Sequence, residues 1–190
     1  MGMRAATGAI SEVNRRDGQL ECRVLGNVAP RGICGSGLVD AVAAGLDLGW
    51  IQPSGRFANR ETLSLAPPVE LTQTDIRELQ LAKGAIAAGL RILVEQWGAA
   101  LKDLSQIHLA GAFGNYISRA SAQRIGLIDF PPEKVRPAGN TALLGAKLAL
   151  FNLEKDDGSY ADILRRVEHI SLNETPAFLD VYVEEMQFPS

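Results

Sequence analysis

The chain has 190 residues, enough for one large domain or two small lobes with a full core. With 46% hydrophobic and 22% charged residues it has the balance of a folded globular protein, which excludes the disordered and fibrous classes. A formal net charge of -3 gives no general attraction to nucleic acid or to an anionic membrane, and no apolar run has the length of a membrane span or the form of a signal peptide.

In chain order, "TGAISEVNRRDGQLECRVLG" alternates around Asp17-Gly18, a dipeptide suited to a tight turn, and predicts paired strands over Ala9–Asn14 and Gln19–Leu25. In "RGICGSGLVDAVAAGLDLGWI", Leu38, Val42 and Leu46 recur every four residues, so a helix capped by Ser36 is expected, with Asp40 in its first turns. Residues Gln52–Val69 hold three of the nine prolines and little periodicity, and read as a connecting loop.

The strongest helix signal follows in "LTQTDIRELQLAKGAIAAGLRILVEQWGAAL". Thr72 and Asp75 approximate a capping box, and Ile76, Leu79, Ile86, Leu90, Leu93 and Trp97 read as one apolar stripe. Lys83 falls on the same stripe. Next come a buried strand over Gln106–Ala110 with a partly buried His108, a short helix over Ser118–Ile125 stopped by Gly126, and a strand and turn in "KVRPAGN". "NTALLGAKLALF" is a helix capped by Asn140. "SYADILRRVEHI" starts a helix at Ser159, and "TPAFLDVYVEEM" another with Pro176 in its first turn. A hairpin followed by alternating helices and strands defines an α/β chain.

The two histidines, His108 and His169, form no HExxH or His/Cys cluster, and there is no GxSxG elbow and no GxxxxGK[ST] loop. No catalytic residue and no metal ligand is therefore expected. Two cysteines, Cys22 and Cys34, are too few for a disulfide framework and too far apart for a CxxC pair, which points to reducing cytoplasm. Three glycine-rich turns remain, each running into a helix: "GICGSG" (32–37), "AGAFGN" (110–115) and "AGNTALLGA" (138–146). Such glycines either permit tight turns and close helix packing or let a ligand approach the backbone beside unpaired helix N–H groups. Ala142, Gly145, Ala146 and Ala149 also give one helix a small face, for packing or for a hinge contact.

The motifs "GICGSGLVDAVA", "DIRELQLAKGAI", "HLAGAFGNYI" and "GNTALLGAKLAL", in that order, resemble the C-terminal ATPase part of the reductive activators of corrinoid proteins, within the superfamily of actin, hexokinase and sugar kinases. The resemblance runs over nearly the whole chain. It implies a ribonuclease-H-like (actin-like ATPase) lobe with a mixed sheet flanked by helices, the second of two lobes. By the same resemblance, the first lobe would hold the Mg²⁺ and phosphate ligands, and an N-terminal ferredoxin domain the [2Fe-2S] cluster. The function implied is ATP/ADP binding that helps return an inactive Co(II) corrinoid protein to Co(I), with the corrinoid protein as partner and a homodimer left open.

Carried over by motif, Gly111, Ala112 and Gly114 would let adenosine lie against the backbone, while Asn115 caps the next segment or reaches a ribose or phosphate oxygen. Gly35, Ser36 and Gly37 would border the cleft from the other side. Lys83 and Gln80 would stand beside adenine and ribose, the alternative for the lysine being to snorkel to solvent. "GNTALLGA" matches a connecting motif at the hinge between lobes. Two other readings stay open. One is an activator of the 2-hydroxyacyl-CoA dehydratase or benzoyl-CoA reductase type, with a [4Fe-4S] cluster at Cys34. The other is a non-catalytic module that docks the partner.

Overall fold

A computed structural model describes residues 1–151 and 159–190. Asp17 and Gly18 both take positive φ (51° and 76°), the geometry of a two-residue turn that follows the twist of its strands. They close a hairpin between β1 (Ala9–Arg16) and β2 (Gln19–Val24). β3 (Gly32–Ile33) pairs with β1 in parallel, so this sheet is mixed with order β2-β1-β3.

Helix α1 (Gly35–Asp47) lies on β1. Its approach is set by Gly37, where a Cβ would collide with the Ile10 carbonyl oxygen. Ser36 is not the cap. That place belongs to Cys34, and the Ser36 hydroxyl instead donates to the Ser11 carbonyl at 2.9 Å, tying the first turn to β1. Val39, Val42 and Leu46 of α1 join Ile10, Val13 and Ile33 in the main core.

The stretch read as a loop contains two strands, β4 (Thr62–Ala66) and β5 (Val69–Thr72), paired antiparallel. Pro67 and Pro68 occupy the turn between them, so the prolines mark a tight connection and not an absence of structure. Leu63, Val69 and Leu71 are fully buried and extend the core beneath the hairpin sheet.

Helix α2 (Gln73–Gln96) begins with the expected capping box: Asp75 N–H donates to Thr72 Oγ1 (3.4 Å) and Thr72 N–H to the Asp75 carboxylate (2.7 Å). Aspartate here does the work usual for glutamate. The apolar stripe is different from the expected one. Ile76, Leu79, Gln80, Lys83, Gly84, Ala88 and Ile92 face inward, while Ile86, Leu93 and Trp97 are exposed. The reason is α7 (Phe178–Glu185), which packs along α2 at its glycines. Tyr182 and Met186 fill the space a side chain at 84 would need, and Leu172 does so at 89.

Strand β6 (Ile107–Ala110) pairs in parallel with β7 (Val135–Gly139). β6 is shorter than the expected Gln106–Ala110 and only half-buried, and His108 is exposed, because β6 and β7 form a separate two-stranded sheet. Between them lie α3 (Gly111–Tyr116) and α4 (Arg119–Arg124), the latter capped by the Ser118 hydroxyl. α5 (Thr141–Phe151) is capped by Asn140 as expected. None of its residues is fully buried, a Cβ at Gly145 would meet nothing within 4 Å, and of its small face Ala149 alone is half-buried. α6 (Ser159–Arg166) starts at Ser159. Pro176 precedes α7 by two residues and lies outside its first turn.

The segment after α7 crosses back as a strap. Lys83, 2% exposed, donates from Nζ to the carbonyls of Glu185 and Gln187, the latter at 2.7 Å. Gln80 Nε2 donates to the Met186 carbonyl (3.0 Å) and to Ser54 (3.2 Å). Phe188 enters the main core, its N–H held by the Pro53 carbonyl at 2.9 Å, and Arg124 donates to the Pro189 carbonyl at 2.8 Å.

Two outcomes test this packing. Gly37→Ala forces a methyl onto the Ile10 carbonyl, and chemical denaturation is expected to show a loss of about 2 kcal/mol, the scale of core overpacking. Burial pushes the Lys83 ammonium below its ordinary 10.5, against the pull of the Glu185 carboxylate at 3.9 Å. The folded chain then holds fewer protons than the unfolded one just below 10.5, so stability rises as pH climbs through that alkaline window. Urea midpoints measured up the alkaline range should show this rise in the wild type and lose it in Lys83→Met.

Candidate functional site

Parallel strands leave their carboxyl ends side by side, and in α/β proteins the crevice beyond those ends is where ligands meet helix N-termini. Here β6 and β7 are in register at Ala110 and Gly139. β6 ends at Ala110 and runs straight into Gly111, β7 ends in Ala138-Gly139, and both glycines turn left-handed, Gly111 at φ 88° and Gly139 at φ 70°. α3 departs directly from the first turn, and α5 from the second through its cap Asn140.

The two turns are fastened together. Asn115 Oδ1 accepts from the Gly139 N–H at 3.1 Å, while the cap of the next helix is Ser118. The first glycine-rich turn is joined to the second by Phe113, whose ring lies against Gly35. A Cβ at 35 would come within 2.8 Å of it. All three turns singled out in the sequence therefore meet around α3.

The space beside each glycine separates packing from ligand access. Gly35 makes room for Phe113, Gly37 for the Ile10 carbonyl, and Gly114 for the Leu109 backbone at 3.0 Å. Gly111 and Gly139 face open space within 4 Å. Of the glycines in the three turns, only those two combine a left-handed backbone with an open approach. Ala112 lies within α3. Ser36 spends its hydroxyl on Ser11 but lines a cleft of about 360 Å³ with Tyr116, Arg23 and Glu12. Arg23 is paired with Glu12 at 2.7 Å across that cleft's wall.

Lys83 and Gln80 stand elsewhere. Their polar atoms hold the strap, and Lys83 lines a cavity of about 460 Å³ between α2 and the strap to which no residue of the three turns contributes. The polar pattern that singled them out on a buried face reflects backbone carbonyls arriving from more than a hundred residues away. Cys34 is buried with Sγ 3.3 Å from the Ser36 hydroxyl, while burial pushes the thiol of half-buried Cys22 up. Among the described residues no three His, Cys, Asp or Glu side chains gather as they would around a metal ion.

Gly139, Phe113 and Tyr116 belong to this site and were not singled out as site residues in the sequence. The repeated Ala-Gly at the ends of the two strands was the available signal for Gly139. The aromatic pair had none, since their position depends on α3 turning back over α1.

The family model described as "C-terminal domain of RACo the ASKHA domain" matches residues 1–190. The chain is 36% identical to the corrinoid activation enzyme RamQ of Eubacterium limosum, over 99% of the chain and 36% of the relative. It is 30% identical to the [Co(II) methylated amine-specific corrinoid protein] reductase of Methanosarcina barkeri, over 83% of the chain and 29% of the relative. Among solved structures, a reductive activator for corrinoid, iron-sulfur protein superposes with a TM-score of 0.83 at 30% identity, covering 98% of this chain and 33% of that one. The chain thus spans about a third of the length of these relatives. It belongs to the family of the C-terminal ASKHA domain of RACo, with the actin-like ATPase fold of mixed sheet and flanking helices.

Proposed function

We propose that the chain is the nucleotide-binding lobe of an ATP-dependent reductive activator that returns inactive Co(II) corrinoid proteins to Co(I). The observation that carries this reading is the pair of turns beyond β6 and β7, where Gly111 and Gly139 have open space beside the backbone for a flat ligand. The similarity of the whole chain to proteins named for corrinoid activation supports the choice of partner, a corrinoid protein in the cytoplasm.

In this reading adenosine of ATP or ADP lies against Gly111 and Ala112. Gly114 shapes the turn by fitting over Leu109, and Asn115 positions Gly139 across the crevice. Gly35, Gly37 and Ser36 act one step back, by setting α1 and giving Phe113 its seat. The chain forms the second lobe of an actin-like ATPase domain. Mg²⁺ and the phosphates are held by a first lobe, and the [2Fe-2S] cluster by a ferredoxin domain. Nucleotide then biases lobe closure by binding one arrangement more tightly than the other, which is the only way a ligand can drive such a change.

A second reading, a module that docks a partner without turnover, is favoured by α5, where Leu144, Leu148, Leu150 and Phe151 are each more than half exposed. The buried Cys34, bonded within its own turn, gives no comparable support to a [4Fe-4S] activator.

Calorimetric titration with ADP and ATP tests the proposal. Gly111→Ala is expected to weaken binding at least tenfold, about 1.4 kcal/mol. Gly98→Ala controls for backbone strain, since Gly98 has φ 77° and open space but lies at the end of α2. It should lose similar stability and keep its affinity. Lys83→Met should also bind normally. Equal loss in Gly111→Ala and Gly98→Ala, or no binding at millimolar nucleotide when a first lobe is supplied, would sink the reading in favour of the docking module.

A further inference from the structure

Asp40 is the buried acid that the proposed function does not use. It sits one turn into α1, 8% exposed, where Oδ2 accepts the Val13 N–H at 3.4 Å and Oδ1 accepts no hydrogen bond among the described residues. The Ser121 hydroxyl of α4 faces the carboxylate and favours its charged form, though burial outweighs this and raises the group's pKa. A charged oxygen without a partner is costly inside a protein unless something arrives to meet it.

Asp40 lies at the floor of a cleft of about 570 Å³ between α1 and α4, to which none of the three glycine-rich turns contributes. The walls are short and apolar, from Ala43, Ala44 and Ala120. At the rim, Asp47 and Asp129 add two carboxylates. Arg124 is spent on Asp47 at 2.6 Å and on the Pro189 carbonyl, which leaves Arg15 as the rim cation without a carboxylate partner among the described residues.

We propose that this cleft receives an ammonium group carried on a short alkyl arm, with Asp40 Oδ1 as its acceptor. Oδ1 is itself shielded from solvent, so in this proposal the Ser121 side chain facing the carboxylate turns aside to admit the ammonium, and the alanine walls cover the arm. An anion would meet Asp40 at the floor. A divalent cation would need several hard oxygen ligands, and no three acidic, His or Cys side chains among the described residues are placed to hold a metal ion together. The arm belongs either to a free alkylamine or to a lysine of a partner protein, and the same chemistry serves both.

The test is an amide-resolved NMR titration of the chain with n-butylammonium, with a blocked Gly-Lys-Gly peptide, and with n-butanol as the uncharged control. Saturable shifts at Val13 and Ser121 with an ammonium probe and none with butanol are expected. They should weaken at least tenfold in Asp40→Asn and also in Ala120→Leu, which narrows the cleft without touching the acid. Tighter binding of the peptide assigns the arm to a partner's lysine, and tighter binding of butylammonium assigns it to a free amine. Shifts that never saturate, or that saturate equally in both variants and the wild type, overturn the proposal.

Discussion

The arrangement depends on α1 lying directly on β1, and that contact exists because residue 37 has no side chain. The missing Cβ lets the helix settle on the Ile10 carbonyl, and two polar bonds then fix its rotation. Ser36 reaches Ser11, and one turn on Asp40 reaches Val13. Backbone polar groups along one strand are thereby met by the first turns of one helix. A larger residue at 37 would lift all of these at once. Gly35, Phe113 and the α3 turn rest on the same seat, so the turns beyond β6 and β7 are set from beneath by a packing contact as well as by Asn115 between them.

α2 is governed by a different solution to the same problem. A long helix with a lysine and a glutamine on its buried face would be unstable alone, since each buried polar group needs a partner. The strap supplies carbonyls in succession, from Glu185, Met186 and Gln187. Gly84 brings the end of α7 close enough for this to happen, and Gly89 makes room for Leu172 ahead of that helix. The polar pattern and the small residues on α2 are therefore two halves of one device, and the apolar Ile86 and Leu93 are left to the outside.

Local chemistry made much of this legible beforehand. The Asp17-Gly18 turn, the Thr72–Asp75 box, the Asn140 cap and the two strands that run into Ala-Gly all follow from residues a few positions apart. Errors arose where distant chain decides. β4 and β5 hid behind prolines whose turn is visible only once the strands pair. The face of α2 was misjudged because α7 and the strap choose it, and the carbonyls that Lys83 meets lie over a hundred residues on. At the site, the three glycine-rich turns singled out in the sequence meet around α3. Separating their glycines into those that seat protein and those that stay open needed the neighbours' coordinates.

The strap carries a consequence for how the chain acquires its fold. Contacts between residues 80–83 and 185–187 close a loop of more than a hundred residues, and loop closure of that span costs entropy before any contact repays it. During synthesis α2 is complete long before its partners leave the ribosome. Over that interval the nascent helix carries an ammonium that cannot be interred, and its inner face must stay wet. Interment of Lys83 is thus a late event in the order of assembly, and a chain stalled before residue 185 would keep that surface within reach of chaperones.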